Sequence, residues 1–250
     1  MPTLVAFIPH PDDESYAFGG LLALAARAGW ACHVECASSG ENGKRHDGGV
    51  AGCEELGEAR EAELEASCRI LGGQRPAFWR LPDGRLREMP SQAGRVAEAI
   101  DRLGPDVVLT LGPDGAYGHP DHIVLYRWVA EAQRAGGQGS LVLPVFVPGL
   151  FLPQYEKCIS MMGDPPEPRR ETIGGAEFDF EVDIRQARDV KLAVIAAHRT
   201  QLPGGDPRAI FPAGIVDALL DVERYSILGP TEPAQTLFGS LAGEITSRLH

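Results

Sequence analysis

The chain is predicted to fold as an α/β protein: a Rossmann-like, open and mostly parallel sheet with helices on both faces. Three observations point there. Short apolar runs alternate with helical patterns over most of the 250 residues, the signature of parallel strands joined by right-handed crossovers. Glycines close several helical stretches, as at Gly29 and Gly72-Gly73. The residue types that carry chemistry gather where two apolar runs end, and an open parallel sheet binds ligands beyond the carboxyl ends of its strands.

Residues 3–8 read as the first strand. Residues 15–27 read as the first helix, with Asp13 and Glu14 at its start, where the helix dipole favours acids. Residues 30–37 form a second strand, 38–52 a loop with five glycines, and 54–71 a helix whose acidic run faces solvent. Strand 77–81, helix 90–103 and strand 106–111 follow, then a loop at 112–118, a helix at 119–134 and a strand at 141–147. The stretch 148–177 is rich in proline and charge, as in Asp164-Pro-Pro-Glu-Pro-Arg-Arg170, and reads as a loop or lid. Beyond it lie a strand at 178–182, a helix capped by Asp183 and reaching about residue 197, a strand at 223–228 and a tail helix at 235–249. No internal repeat or composition break divides the chain, so one domain spanning 1–250 is expected.

With 44% apolar and 23% charged residues the composition is that of a globular domain. A formal net charge of -12 opposes phosphate backbones and anionic membrane surfaces, which argues against nucleic acid as a partner. No apolar stretch is long enough to span a bilayer, and no signal peptide is read, so a cytoplasmic enzyme is expected. Five scattered cysteines without a C-x-x-C pair suggest reduced thiols rather than disulfides or a thiolate metal site. The oligomeric state is not written in any motif.

The first cluster, Ile8-Pro-His-Pro-Asp-Asp-Glu14, follows the first strand. Pro11 disfavours helical backbone at His10, so the turn into the helix begins just after it and Asp13 can swing back towards the imidazole. The second cluster, Tyr117-Gly-His-Pro-Asp-His122, places His119 and His122 three apart at a helix start and so on one face. Two imidazoles and one carboxylate, completed by water, describe an open catalytic zinc site; iron or cobalt binds the same donors. Asp12 is left free to take a proton from an attacking water. The remaining histidine of the 119/122 pair is free to stabilise an oxyanion.

Together these clusters resemble the LmbE/PIG-L zinc de-N-acetylases. The likeness extends to Ser39-Gly-Glu-Asn-Gly43, Gly57-Glu-Ala-Arg-Glu-Ala-Glu63, Asp83-Gly84, and Lys191 with Ala197-His-Arg-Thr-Gln201. It implies His10, Asp13 and His122 as zinc ligands and Asp12 as general base. It also implies His119 facing the oxyanion, Tyr117 polarising the carbonyl, and Arg60, Asp83 and Glu41 contacting substrate hydroxyls. Arg60 is also spaced to pair with Glu63 on a helix surface, and turn chemistry alone selects acids at 41 and 83. His198 ends a helix, where the dipole favours an imidazolium; Glu14 has no role beyond support.

The implied activity is removal of acetyl from an N-acetylglucosamine-type small molecule. Two alternatives are an amidase acting on S-conjugates of an amino-sugar thiol, and a non-catalytic metal- or nucleotide-binding module. The second is disfavoured because the slot after the first strand lacks the glycine-rich dinucleotide signature.

Overall fold

The computed structural model describes residues 1–49, 52–162, 170–241 and 245–247. Eight strands form one sheet in the order β3-β2-β1-β4-β5-β7-β6-β8. They are β1 (Thr3–Ile8), β2 (Ala31–Ser38), β3 (Ala77–Leu81), β4 (Val107–Leu109), β5 (Ser140–Pro144), β6 (Phe180–Asp183), β7 (Val222–Leu228) and β8 (Ile245–Ser247). The first five are parallel; β7, β6 and β8 add antiparallel pairings. The helices are α1 (Asp13–Arg27), α2 (Cys53–Leu71), α3 (Ala93–Leu103), the single turn α4 (Gly115–Gly118), α5 (Pro120–Arg134), α6 (Leu152–Met162), α7 (Arg188–Ala197), the short α8 (Ile215–Ala218) and α9 (Glu232–Ser240).

Alternation along β1 shows why the sheet is covered on both sides. Leu4, Ala6 and Ile8 enter the core beneath α1, α2 and α7, while Val5 and Phe7 enter the one beneath α3 and α5. All five are fully buried. The crossovers from β1 lead outward through β2 to β3, whereas β4 returns to the opposite side of β1. The chain therefore reverses its winding between β1 and β4, and the switch point opens at their carboxyl ends. The segments leaving those two strands hold the two histidine clusters.

Three expectations need correction. Residues 148–177 are not one loop: α6 runs through them, anchored by the buried rings of Phe151 and Tyr155, one helical turn apart. Its proline-rich continuation at 163–169 lies outside the described residues. The tail helix stops at Ser240, and Ile245–Ser247 pairs with β6 instead, a β-branched Ile-Thr pair suiting an edge strand. In addition, Asp183 caps no α-helix directly. Its carboxylate accepts from the Arg185 amide at 3.0 Å to turn the chain through one 3-10 turn before α7. No helix among the described residues is long and apolar enough to cross a membrane.

Candidate active site

The turn from β1 into α1 brings His10, Asp12 and Asp13 to one point. Asp13 Oδ2 accepts from the His10 backbone amide at 2.9 Å and lies 3.3 Å from His10 Nδ1. From the other side of the switch point, α5 contributes His122, whose Nε2 lies 3.3 Å from Asp13 Oδ1. His122 Nδ1 sits 3.1 Å from the Gly115 carbonyl. A carbonyl only accepts, so Nδ1 carries the proton and Nε2 presents a lone pair. That Nε2 is buried and has no hydrogen-bond partner.

A lone pair facing a carboxylate oxygen at 3.3 Å is repulsive unless a proton or cation lies between them. Burial resists the proton, and with the neighbouring His10 it pushes the His122 imidazole down to about 4. A divalent cation fits that demand, and His10, Asp13 and His122 offer it two imidazoles and a carboxylate. Asp13 is ready for this role: burial works against its ionisation, yet His122, His10 and the Tyr16 hydroxyl at 2.7 Å hold it well below the usual carboxylate range.

Further carboxylates fix the His10 ring. His10 Nε2 lies 3.1 Å from Asp83 Oδ1 and 3.3 Å from Asp121 Oδ2. Burial disfavours a charge on His10, but Asp83, Asp121 and Asp13 outweigh it and raise its pKa well above the ordinary value. Such partners orient a metal-binding imidazole and increase its basicity. Nothing local in the sequence gives Asp121 a role of its own; its position between His119 and His122 is the signal that it joins the cluster. Its oxygens also accept from the amides of Gly84 at 2.8 Å and Leu86 at 3.1 Å, fastening the loop after β3 to α5.

His119 is the residue preceding α5, and its Nδ1 accepts from the Asp121 amide at 3.2 Å. Burial, reinforced by His122 and His10, lowers its pKa well below the ordinary value. The ring is therefore neutral with its proton on Nε2, a hydrogen-bond donor rather than a lone pair. Its ring nitrogens nevertheless belong to a group with those of His10 and His122 whose ligand atoms all lie within 4.8 Å. Tyr117 packs edge-on against His119, with centroids 6.0 Å apart. Burial raises its hydroxyl well above the ordinary value, so it too remains a donor.

A cavity of about 240 Å³ opens over this cluster, lined by His10, Asp12, Asp13, Asn42, Gly43, Arg60, Asp83, Gly84, Tyr117 and His119. Burial pushes the Asp12 carboxyl up to about 6 against the opposing charge of Arg60. Arg60 forms no surface pair with Glu63. It is buried, with its guanidinium donating to the Gly40 carbonyl at 2.9 Å, the Pro11 carbonyl at 2.6 Å and Asp12 Oδ2 at 3.1 Å. The path is so close that a Cβ on Gly40, at φ +68°, would lie 2.3 Å from Arg60 Nη1. Glu41 is not among the lining residues; its Oε1 accepts from the Asp83 amide at 2.8 Å and joins two rim loops. Of the predicted site residues, all but Glu41 and His122 line this one cavity, and fully buried His122 lies just behind its wall against Asp13.

An α/β sheet carrying a histidine–carboxylate metal group and a neighbouring part-buried acid, Asp12, at its switch point defines a class, that of metal-dependent hydrolytic enzymes. Residues 5–133 match the family described as PIG-L: GlcNAc-PI de-N-acetylase, and the chain belongs to that family. It is 32% identical over 266 residues to a 1D-myo-inositol 2-acetamido-2-deoxy-alpha-D-glucopyranoside deacetylase of Saccharomonospora viridis, covering 93% of this chain and 98% of that one. A protein of the same description from a Mycobacterium species (strain JLS) is 31% identical, with 91% of this chain and 84% of that one covered.

Among solved structures, N,N'-diacetylchitobiose deacetylase from Pyrococcus horikoshii superposes with a TM-score of 0.62 at 22% identity, covering 90% of this chain and 83% of that one. The 4-carboxy-2-hydroxymuconate hydratase GalB of Pseudomonas putida gives 0.63 at 23% identity, covering 92% and 97%. These structural likenesses show the fold alone.

Proposed function

We propose that this chain is a metal-dependent N-deacetylase that removes acetyl from an N-acetylglucosamine-type small molecule. The observation that carries the reading is the buried, unpartnered lone pair of His122 Nε2 facing Asp13, with Asp12 beside Asp13 on the wall of the cavity. His10, Asp13 and His122 would hold the ion. We take zinc as the native metal, with iron(II) or another divalent ion as a substitute. Bound there, the ion supplies Lewis-acid polarisation of the amide carbonyl and acidifies a water molecule.

The chain's own groups do the rest. Asp12, with a pKa brought towards neutrality by burial, takes the proton of the attacking water and returns it to the departing amine. His119 is too weak a base to carry that proton at neutral pH, so it donates from Nε2–H to the oxygen on which negative charge develops. The Tyr117 hydroxyl supports the same oxygen. Asn42, Arg60 and Asp83 line the cavity as partners for sugar hydroxyls. The named activity of the curated relatives supports an inositol-linked acetamido sugar as the first substrate to test. The free thiols Cys32, Cys36 and Cys68 support a reducing, cytoplasmic setting.

The decisive assay follows free amine and acetate from N-acetylglucosamine linked to inositol, to simple alcohols and to a thiol conjugate, with metal-loaded protein. Amine release from the N-acetyl arms, abolished by Asp12→Asn with metal still bound, is the expected result. No amine from any arm would sink the reading.

A further inference from the structure

Asp12 is held in a backbone conformation that its side chain does not favour. Its φ is 129° with ψ -23°, a region that a non-glycine residue keeps only when its surroundings impose it. Its carboxylate forms no cap with the helix it precedes. Its carbonyl accepts from Ser15, and its amide is restrained by donating to Glu14 Oε2 at 3.1 Å.

Glu14 is itself fixed. It is fully buried, and its Oε1 accepts from Ser67 Oγ at 2.5 Å and from His198 Nε2 at 2.7 Å. Ser67 comes from α2 and His198 from the end of α7, so three elements meet on one carboxylate. Ser67 and His198 are also fully buried, and neither lines the cavity. Burial opposes a charge on His198, but Glu14 and then Asp12 outweigh it and raise its pKa. The next residues continue the brace. The Thr200 amide and hydroxyl both donate to Glu63 at 2.7 Å, and the Thr200 carbonyl accepts from the His46 amide at 2.7 Å.

We propose that His198 and Glu14 are a positioning pair for the reaction, locking the strained Asp12 backbone so that its carboxylate meets the attacking water. The inference rests on Asp12 being the general base. His198 touches neither substrate nor metal; it acts by fixing Glu14, which fixes the Asp12 amide. His198 lies outside residues 5–133, the stretch that matches the family, whereas Glu14 lies inside it, so the catalytic half of the chain depends on the following half for its geometry.

The test compares His198→Asn with His198→Gln. A glutamine amide nitrogen reaches roughly where Nε2 stands, whereas asparagine falls one carbon short. Misplacing a catalytic group by about 1 Å costs up to about a hundredfold, so kcat should fall at least about tenfold in His198→Asn. His198→Gln should recover to within about threefold, and in both variants KM and bound metal per chain should stay near wild type. Ser67→Ala, which removes one donor and is the milder change should either His198 variant fail to fold, should lower kcat several-fold with KM unchanged. Equal activity of His198→Asn and wild type, equal loss in both His198 variants, or a loss traced to metal or KM would overturn the pair. Wild-type protein that releases no amine would instead fail the underlying reading, and the two failures are told apart by that control.

Discussion

Arg60 Nη2 lies 3.1 Å from Asp12 Oδ2 and 2.6 Å from the carbonyl of Pro11, so one nitrogen of the guanidinium grips both the candidate base and the chain that delivers it. Arg60 lines the cavity as well, but its three hydrogen bonds are internal: two carbonyls and the Asp12 carboxylate. Arg60→Lys keeps the charge and loses the fork that spans those acceptors. We expect kcat to drop by about tenfold or more with a smaller change in KM, the pattern of a lost transition-state geometry. A variant whose KM rises while kcat holds would make Arg60 chiefly a substrate contact.

The pH profile should report Asp12. Burial raises its carboxyl to about 6, so the basic form dominates only above that pH. Activity therefore falls as the solution is acidified through this value. A bound divalent cation favours the carboxylate and moves the limb downward, never upward. The expected kcat/KM profile rises with pH at or below about 6 and loses its acidic limb in Asp12→Asn, whose residual rate is about 10²–10⁴-fold lower. An acidic limb that survives unchanged in that variant would assign the titration elsewhere.

Neutral His119 gives a different signature. Because its Nδ1 accepts from the Asp121 amide, its contribution is the Nε2–H alone. Removing one such donor costs about 10²–10³ in kcat. His119→Ala should show that loss with metal content intact. Loss of metal in the variant would instead place His119 among the ligands, which the proximity of the three imidazoles makes a meaningful alternative outcome.

Much of this was legible in the chain before folding. The strand ends, the two histidine clusters and the reaction class follow from local pattern: Pro9 and Pro11 stiffen one cluster, and Pro120 starts the helix that carries the other. Three-dimensional partnerships were not legible, because nothing local marks them. Asp121 reads as a helix-start acid until its side chain reaches His10 and the 83–86 loop. Arg60 reads as a surface cation at i, i+3 from Glu63 until α2 turns it inward. Helix α6 hid behind the proline-rich stretch that follows it, and β8 hid in a short β-branched segment that needed β6 as a partner.

Metal removal should act on stability as well as on turnover. A ligand that binds only the native state stabilises it by about 2.7 kcal/mol at a hundredfold excess over Kd. Without the ion, His122 Nε2 is left facing Asp13 unpaired. Chelation is expected to abolish amine release and lower Tm, with zinc, iron(II) or cobalt restoring both. The same melting shift should vanish in His122→Ala. A chelator-insensitive Tm together with full activity would rule out this centre.

The last prediction concerns a charge far from the chemistry. Lys191 is fully buried and donates to Glu223 Oε1 at 2.7 Å. Burial lowers its pKa, and Glu223 opposes that shift. Glu223 also accepts from the amides of Gly20 at 2.8 Å and Leu21 at 2.7 Å and from the Tyr225 hydroxyl at 2.7 Å, clasping the middle of α1 to β7. The helix approaches closely there: a Cβ on Gly20 would lie 2.6 Å from Ile184. Removing the acid strands a buried ammonium, whereas removing the lysine leaves a carboxylate still held by three donors. Glu223→Gln should therefore cost about 3–5 kcal/mol in urea unfolding, as breaking a buried pair does, and Lys191→Met distinctly less. Equal costs for the two would mean that the pair, rather than the clasp on α1, carries the stability.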